Sequence, residues 1–274
     1  MRFPAFAVLC LLIVGCYPAK RGNPPPERAK PIPASPPPPL VTTPLTPAVV
    51  PRLTTRDISG ITFEGVAFDS RSHRLVAVDQ VAGPGSRFQD SSAAAASRRG
   101  IAAVNAGFFT PEGSPLGLVV SAGNVAGTWN TTSSLGSGVW YENAMGEMAI
   151  SRREKIGSSA AASMRELIQA GPLLVENSHP ISGLEAAKTS ARMFILWDGG
   201  TRWWIGRTSP CTLAALASAI SNGQPAGWIV RHALNLDGGR SADLWISSSV
   251  PGGPVTRRTP WNRPVRNFLV LIPN

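Results

Sequence analysis

The sequence predicts an α+β fold, a single domain with a mainly antiparallel, strand-rich sheet and two or three helices. Three observations carry this. Short apolar runs outnumber helical patterns, glycine-centred turn signals separate neighbouring runs, and only two or three stretches have helical composition with recognisable ends. The domain is expected over residues 52–274, because the residues before it have little with which to build a core.

Residues 1–16, MRFPAFAVLCLLIVGC, hold one arginine near the start, an apolar run and a terminal Gly-Cys. The run is too short to span a membrane and has the layout of an export signal. Its end, Ile13-Val14-Gly15-Cys16, resembles the cleavage box of bacterial lipoproteins. That resemblance implies a lipidated Cys16, a membrane anchor and an exported protein of the cell envelope; an ordinary signal peptide is the alternative. Residues 17–51 follow with twelve of the chain's 26 prolines, between Pro24 and Pro51. Proline removes amide donors and favours extended polyproline II, so this stretch reads as a disordered tether.

ITFEGVAFD and HRLVAVDQ then alternate as strands across a Ser-Arg-Ser turn. QDSSAAAASRR reads as a helix stopping before Gly100, and IAAVNAGFF as a buried strand entering a glycine turn. LGLVVSAGNVAG suggests two strands about a Gly-Asn turn, AASMRELIQ a short helix, and GPLLVEN a strand. ARMFILWDGGTRWWIGR reads as a hairpin turning at Asp198-Gly199-Gly200. TLAALASAISNG is the clearest helix, ended by Asn222-Gly223. ALNLDGGRSADLWIS and VRNFLVLI complete the sheet, and Asp237-Gly238 is a strong type I′ hairpin signal.

Composition excludes several functions. The net charge of +10 is spread without a long basic run or a nucleic-acid-binding module, so no nucleic acid partner is expected. Phosphate-bearing substrates or anionic envelope surfaces fit such a balance. Cys10 and Cys16 lie in the signal, leaving Cys211 alone and best read as a small buried hydrophobe. His73, His179 and His232 are scattered, with no HExxH, GxSxG or Walker loop, which argues against a zinc protease, a serine hydrolase or an ATPase.

What remains is a set of polar residues and glycines where apolar strands end: Asn105 and Gly107 in VNAGFF, Gly171-Pro172 in AGPLL, Arg192 in SARMF, and Asn235, Asp237, Gly238, Gly239, Arg240 and Ser241 in NLDGGRS. Turns that place polar groups at strand ends are a common way to line a pocket. Each has a plainer reading as well: Asn105 as a turn residue, Asp237 as a hairpin corner, Arg192 as a surface charge. Phe108-Phe109 and Trp203-Trp204 read more readily as core than as a sugar platform.

Taken in order, VNAGFF, PLGLVVSAGNV, AGPLLVE, SARMFI, the Ala/Leu helix, ALNLDGGRSADLWI and RPVRNFLVLI resemble the phosphodiester glycosidase family over roughly residues 58–272. Asn105, Gly107, Gly117, Gly171, Pro172, Arg192, Asn235, Asp237, Gly238, Gly239, Ser241 and Asn267 match its pattern. Ala106, Met193, Phe194 and Arg240 depart from it, and Arg240 stands where a third glycine is usual. The resemblance implies a hydrolase that removes a sugar from a sugar-1-phosphodiester. Asp237 would act as nucleophile or general base and Arg192 as a phosphate clamp assisted by Arg240. Asn105, Ser241 and the neighbouring Gly107, Gly171, Asn235, Gly238 and Gly239 would line the substrate. Glu112, Asp198 and Asp243 are candidates for a second carboxylate. Carboxylates beside phosphate leave room for a hard cation such as Ca²⁺ or Mg²⁺, but no segment has the spacing of a metal loop, so no metal or other cofactor is expected. The alternative is a tethered module that binds an anionic or phosphate-linked glycan without cleaving it. A glycosidase acting on unphosphorylated glycans is a third reading.

Overall fold

The computed structural model describes residues 47–274. The expected export signal, Cys16 and the proline-rich tract up to residue 46 lie outside the described residues. At the end of that tract Pro51 is buried, and the Val49 N–H donates to an Asp69 carboxylate oxygen at 3.4 Å.

Among the described residues seventeen strands and three α-helices alternate. The chain opens with β1 (Arg52–Ile58), β2 (Ile61–Asp69), β3 (His73–Asp79), α1 (Ser91–Ser97) and β4 (Ala102–Asn105). A middle region follows: β5 (Val119–Ser121), β6 (Asn124–Ala126), β7 (Gly138–Glu142), β8 (Met148–Arg152), α2 (Ser158–Ala162) and β9 (Glu166–Ala170). The last part holds β10 (Leu173–Glu176), β11 (His179–Pro180), β12 (Met193–Trp197), β13 (Arg202–Thr208), α3 (Leu213–Gly223), β14 (His232–Leu236), β15 (Asp243–Ile246), β16 (Val255–Arg258) and β17 (Asn267–Pro273).

The strands divide among three antiparallel sheets. One has seven strands in the order β1-β2-β13-β12-β14-β10-β11; the others have five, β16-β15-β4-β17-β3 and β6-β5-β9-β7-β8. Inward side chains of all three meet in one core: Ile195 and Leu234 from the first, Val104 and Leu269 from the second, Trp140 and Ile168 from the third. Outward side chains are buried too, because each sheet carries a helix on its back. Phe194, Leu196 and Trp204 pack with Leu216 and Ile220 of α3; Ala103, Phe268 and Val270 with Ala94 and Ala95 of α1; Val139 and Leu167 with Ala161 of α2. Burial on both faces explains the continuous apolar runs of β4, β12 and β17, which lack a wet side. Trp203 and Trp204 are core residues, one on each face of β13.

Local signals act where the sequence placed them. The Asp90 side chain accepts from the Ala93 N–H at 2.9 Å to start α1, and Thr212 accepts from Ala215 at 3.1 Å to start α3. Four details differ. AASMRELIQ is not one helix: α2 ends at Ala162 and Glu166–Ala170 is the fully buried strand β9. Leu167 faces α2 while Ile168 faces the central core, so the period is two rather than 3.6. The turn between β5 and β6 centres on Ala122-Gly123, one residue early, and α3 keeps Gly223 and ends on left-handed Gln224. The expected hairpin at Asp237-Gly238 does not form. β14 belongs to the seven-stranded sheet and β15 to the second, so residues 237–242 cross from one sheet to another.

Candidate active site

Strand register creates the site. β12 and β14 run antiparallel with Met193 opposite Leu236, so the next step of the same register sets Arg192 against Asp237. Beyond Asp237 the chain lies flat on the start of β12 before crossing to β15. A Cβ at Gly238 would sit 2.5 Å from the Ala191 carbonyl oxygen, and Gly239, at φ +60°, donates its N–H to that oxygen at 2.8 Å. Side chains at these two positions would lift the loop away. The Asp237 N–H donates to Ala106 O at 2.8 Å. Asn105 clasps both ends of the crossing, donating its amide to Asp237 O at 2.6 Å and accepting from the Asp243 N–H at 2.9 Å.

This loop walls an open cavity of about 800 Å³. Arg192, Asn235, Asp237, Gly238, Gly239, Arg240 and Ser241 all line it, so the structure brings most of the expected site together. Asn105, Gly107 and Gly171 do not line it. Asn105 is spent on the crossing loop, the Gly107 N–H donates to Asn267 Oδ1 at 2.6 Å, and Gly171 O accepts from Asn235 Nδ2 at 2.8 Å. Their contribution is to hold the neighbours of the cavity in place, while Pro172, next to Gly171, lines it.

Asp237 is the sole carboxylate among the described lining residues, which also include Lys188, Arg192, Arg240 and Arg263. Burial against the wall pushes its carboxyl up to about 6, opposed by the Ser241 hydroxyl, the Arg263 charge and the Gly238 N–H. Arg192 is first a brace. Its Nε donates to Cys211 O at 2.9 Å and its Nη2 to Lys188 O at 2.6 Å, which leaves Nη1 without a hydrogen-bond partner among the described residues. Cys211 is buried, as its surroundings in the sequence suggested. Arg240 stands exposed at the rim and makes no hydrogen bond or ion pair among the described residues. Arg263 lies over the Phe109 ring at 4.9 Å.

Two buried acceptors on the wall, Asn235 Oδ1 and Thr259 Oγ1, have no hydrogen-bond partner among the described residues. Arg263, Lys188 and Thr259 were not singled out from the sequence. Arg263 opens the segment RPVRN, where an arginine ahead of the last strand was the available signal.

The proposed second carboxylates lie elsewhere. Asp243 is buried and accepts from the Ser91 N–H at 2.9 Å; Asp198 closes its own turn with Gly200 and Arg202; Glu112 lies outside the cavity lining. No three His, Cys, Asp or Glu side chains converge among the described residues, and one carboxylate among four cations is a poor donor set for a hard cation.

A three-sheet antiparallel protein with one acid and several cations lining an open cavity is the class that fold and site define. The profile of the phosphodiester glycosidase family matches residues 98–272, and the chain belongs to that family. Among solved structures, it resembles the catalytic domain of zebrafish N-acetylglucosamine-1-phosphodiester alpha-N-acetylglucosaminidase, auto-inhibited by its pro-peptide. That likeness has TM-score 0.57 and 17% identity, covering 83% of this chain and 84% of that one. A hypothetical protein from Synechocystis aligns with TM-score 0.54 and 17% identity, over 81% of this chain and 61% of the other. A Burkholderia pseudomallei protein described as exported aligns with TM-score 0.52 and 13% identity, over 78% and 74%. No curated protein matches the chain in sequence.

Proposed function

We propose that the chain hydrolyses a sugar-1-phosphodiester, with Asp237 as general base. The observation that carries this is Asp237 itself, a lone carboxylate on the cavity wall with its carboxyl raised to about 6, the Arg263 charge acting on it and further cations lining the same cavity. Phosphate monoesters leave more readily than sugar alkoxides, so the usual pair of carboxylates reduces to one acid plus cations that hold the departing phosphate. Asp237 takes a proton from water, the water oxygen bonds the anomeric carbon, and the glycosidic C–O pair leaves on phosphate. Arg263 and Arg240 neutralise the phosphate oxygens, and Nη1 of Arg192 donates to them while its Nη2 stays paired with Glu185 at 3.7 Å. A carboxyl near 6 is ionised at neutral pH yet still basic enough to take a proton. Direct attack by Asp237 is less economical, because among the described residues no second carboxylate lines the cavity to activate water against the resulting ester.

The test is turnover of a panel of sugar-1-phosphodiesters, with unphosphorylated glycosides as controls, by the purified full chain. Hydrolysis with inverted anomeric configuration by proton NMR, retained in EDTA, is expected. Asp237→Asn should lower kcat by about a thousandfold. Full turnover in that variant removes Asp237 from the mechanism, and tight binding without product makes the protein a glycan-binding module. We also propose export and anchoring through Cys16. Incorporation of labelled palmitate that Cys16→Ser abolishes is the expected outcome, and unchanged labelling overturns it.

A further inference from the structure

A second cavity, of about 500 Å³, shares no lining residue with the one that holds Asp237. Three segments wall it: the end of β3 with the loop after it, the end of α1, and β5–β6 with their turn. Of the six large apolar side chains that stand exposed among the described residues, two belong to this wall, Val81 at 76% and Val125 at 52%. Phe88 adds a half-buried ring, and Arg87 and Arg98 add exposed cations.

The walls are held by buried groups. Gln80, fully buried, accepts through Oε1 from the Arg87 N–H at 2.9 Å and the Phe88 N–H at 2.7 Å, and its Nε2 donates to Val265 O at 2.7 Å. The loop after β3 is thereby pinned to the chain ahead of β17. Glu166 accepts from the Ala77 N–H at 3.0 Å and from the Ala122 N–H, and the Ser121 hydroxyl donates to Ala77 O at 2.7 Å, so the β5–β6 turn is fixed to β3. A ligand would meet a preformed site. Its charges do not cancel. Asp79 is the one carboxylate among the described lining residues, and it is spent on Arg266, whose Nε and Nη2 both donate to it at 2.8 Å. The Arg87 guanidinium lies 5.4 Å from the Phe88 ring centre, and Arg98 bears on Glu166 through its charge alone. Neither guanidinium makes a hydrogen bond or ion pair among the described residues.

We propose that this cavity binds a small amphipathic anion, an alkyl or aryl body ending in a carboxylate or a phosphate. The body lies against Val81, Phe88 and Val125, and the head is held by Arg87 and Arg98. The site is separate from the Asp237 cavity, and the proposal stands or falls without the glycosidase reading. Bare valines gain from covering by an apolar body, whereas an uncharged apolar ligand would leave two guanidinium forks idle. Those forks fit the paired oxygens of either head. The volume lies within the usual range of small-molecule sites, about 300–1,000 Å³.

The experiment is calorimetric titration of the full-length protein with decanoate, decyl phosphate, decanol and acetate, each below its micelle-forming concentration. At least one of the two long-chain anions should bind about tenfold or more tighter than decanol, and acetate should not bind. A preference between the two heads identifies the ligand as a carboxylate or a phosphate and upholds the site. Replacing both arginines, Arg87→Gln with Arg98→Gln, should weaken anion binding by about tenfold to a hundredfold. Val125→Asp should weaken it as well, by setting an acid against the bound head and a polar group against its body. The replaced side chains are all exposed, and the two variants probe head and body independently. Arg240→Gln, in the other cavity, should leave binding unchanged. Decanol binding as tightly as the anions overturns the proposal, as does full affinity in the double arginine variant or no anion binding in wild type. Loss of binding in Arg240→Gln also overturns it, because the anion would then sit beside Asp237.

Discussion

Arg263 and Asp237 make an electrostatic couple that can be read from a pH profile. Burial raises the Asp237 carboxyl to about 6 and Arg263 holds it down. A base must be ionised to act, so activity should rise with pH through an acid limb near that value. Arg263→Gln removes the restraining charge and should move the limb to higher pH, with a raised KM from the lost phosphate contact. A limb that stays in place while KM rises would limit Arg263 to binding. At this scale the sequence was only partly legible. Asp237 and Arg192 were recognisable because glycines and strand ends flank them. The bracing role of Arg192 was not, because it depends on Lys188 and Cys211 carbonyls brought together by folding. Asn105 looked like a substrate ligand for a related reason: a polar residue ending a buried strand signals an obligation to hydrogen-bond, without naming the partner.

Helix ends and turns were legible to within a residue or two, since Asp90, Thr212 and the Asp198-Gly199-Gly200 turn act through local geometry. Which strands pair was not. LNLDGGRSADLWI carries every local mark of a hairpin, yet its halves lie in different sheets because each pairs better with distant strands, β14 with β12 and β15 with β4. β9 was hidden because Glu166 and Gln169 are good helix formers. Their side chains are instead taken up by backbone groups, the Glu166 carboxylate accepting from Ala77 N–H at 3.0 Å and Gln169 Oε1 from Leu118 N–H at 3.0 Å. One element carries removable strain: α3 ends on exposed Gln224 at φ 49°. Gln224→Gly should stabilise the protein by about 0.5–1 kcal/mol, the left-handed cost relieved less the added chain entropy. A melting temperature raised by about 2 °C is the expected reading, and a lowered one would show that Gln224 makes an essential contact.

Across the whole molecule, buried carboxyls set the response to pH. Glu166, desolvated and facing Glu142, is raised to about 7 from 4.5. Between those values the folded protein binds its proton more tightly than the unfolded chain, so stability falls as pH rises through that window. Asp69 acts in the opposite sense. Its ion pair with Arg71 lowers it to about 2, so its contribution is complete above the ordinary carboxylate range and lost as pH falls towards that value. Together they place the highest melting temperature near about pH 4–5, with a decline towards pH 8. Glu166→Gln should flatten that decline, and a calorimetric pH series checks it; an unaltered slope would assign the decline to other groups.

Asp237 follows the last residue of a strand in the seven-stranded sheet, whereas Arg263 lies between β16 and β17 of the second sheet. The acid and the cation that tunes it are thus mounted on separate walls, joined by the crossing loop, side-chain packing and single backbone bonds such as Asp237 N–H to Ala106 O rather than by a shared ladder. Small slippage between those walls would detune the chemistry while every ladder stayed intact. On gentle warming, catalysis should dim before the protein melts.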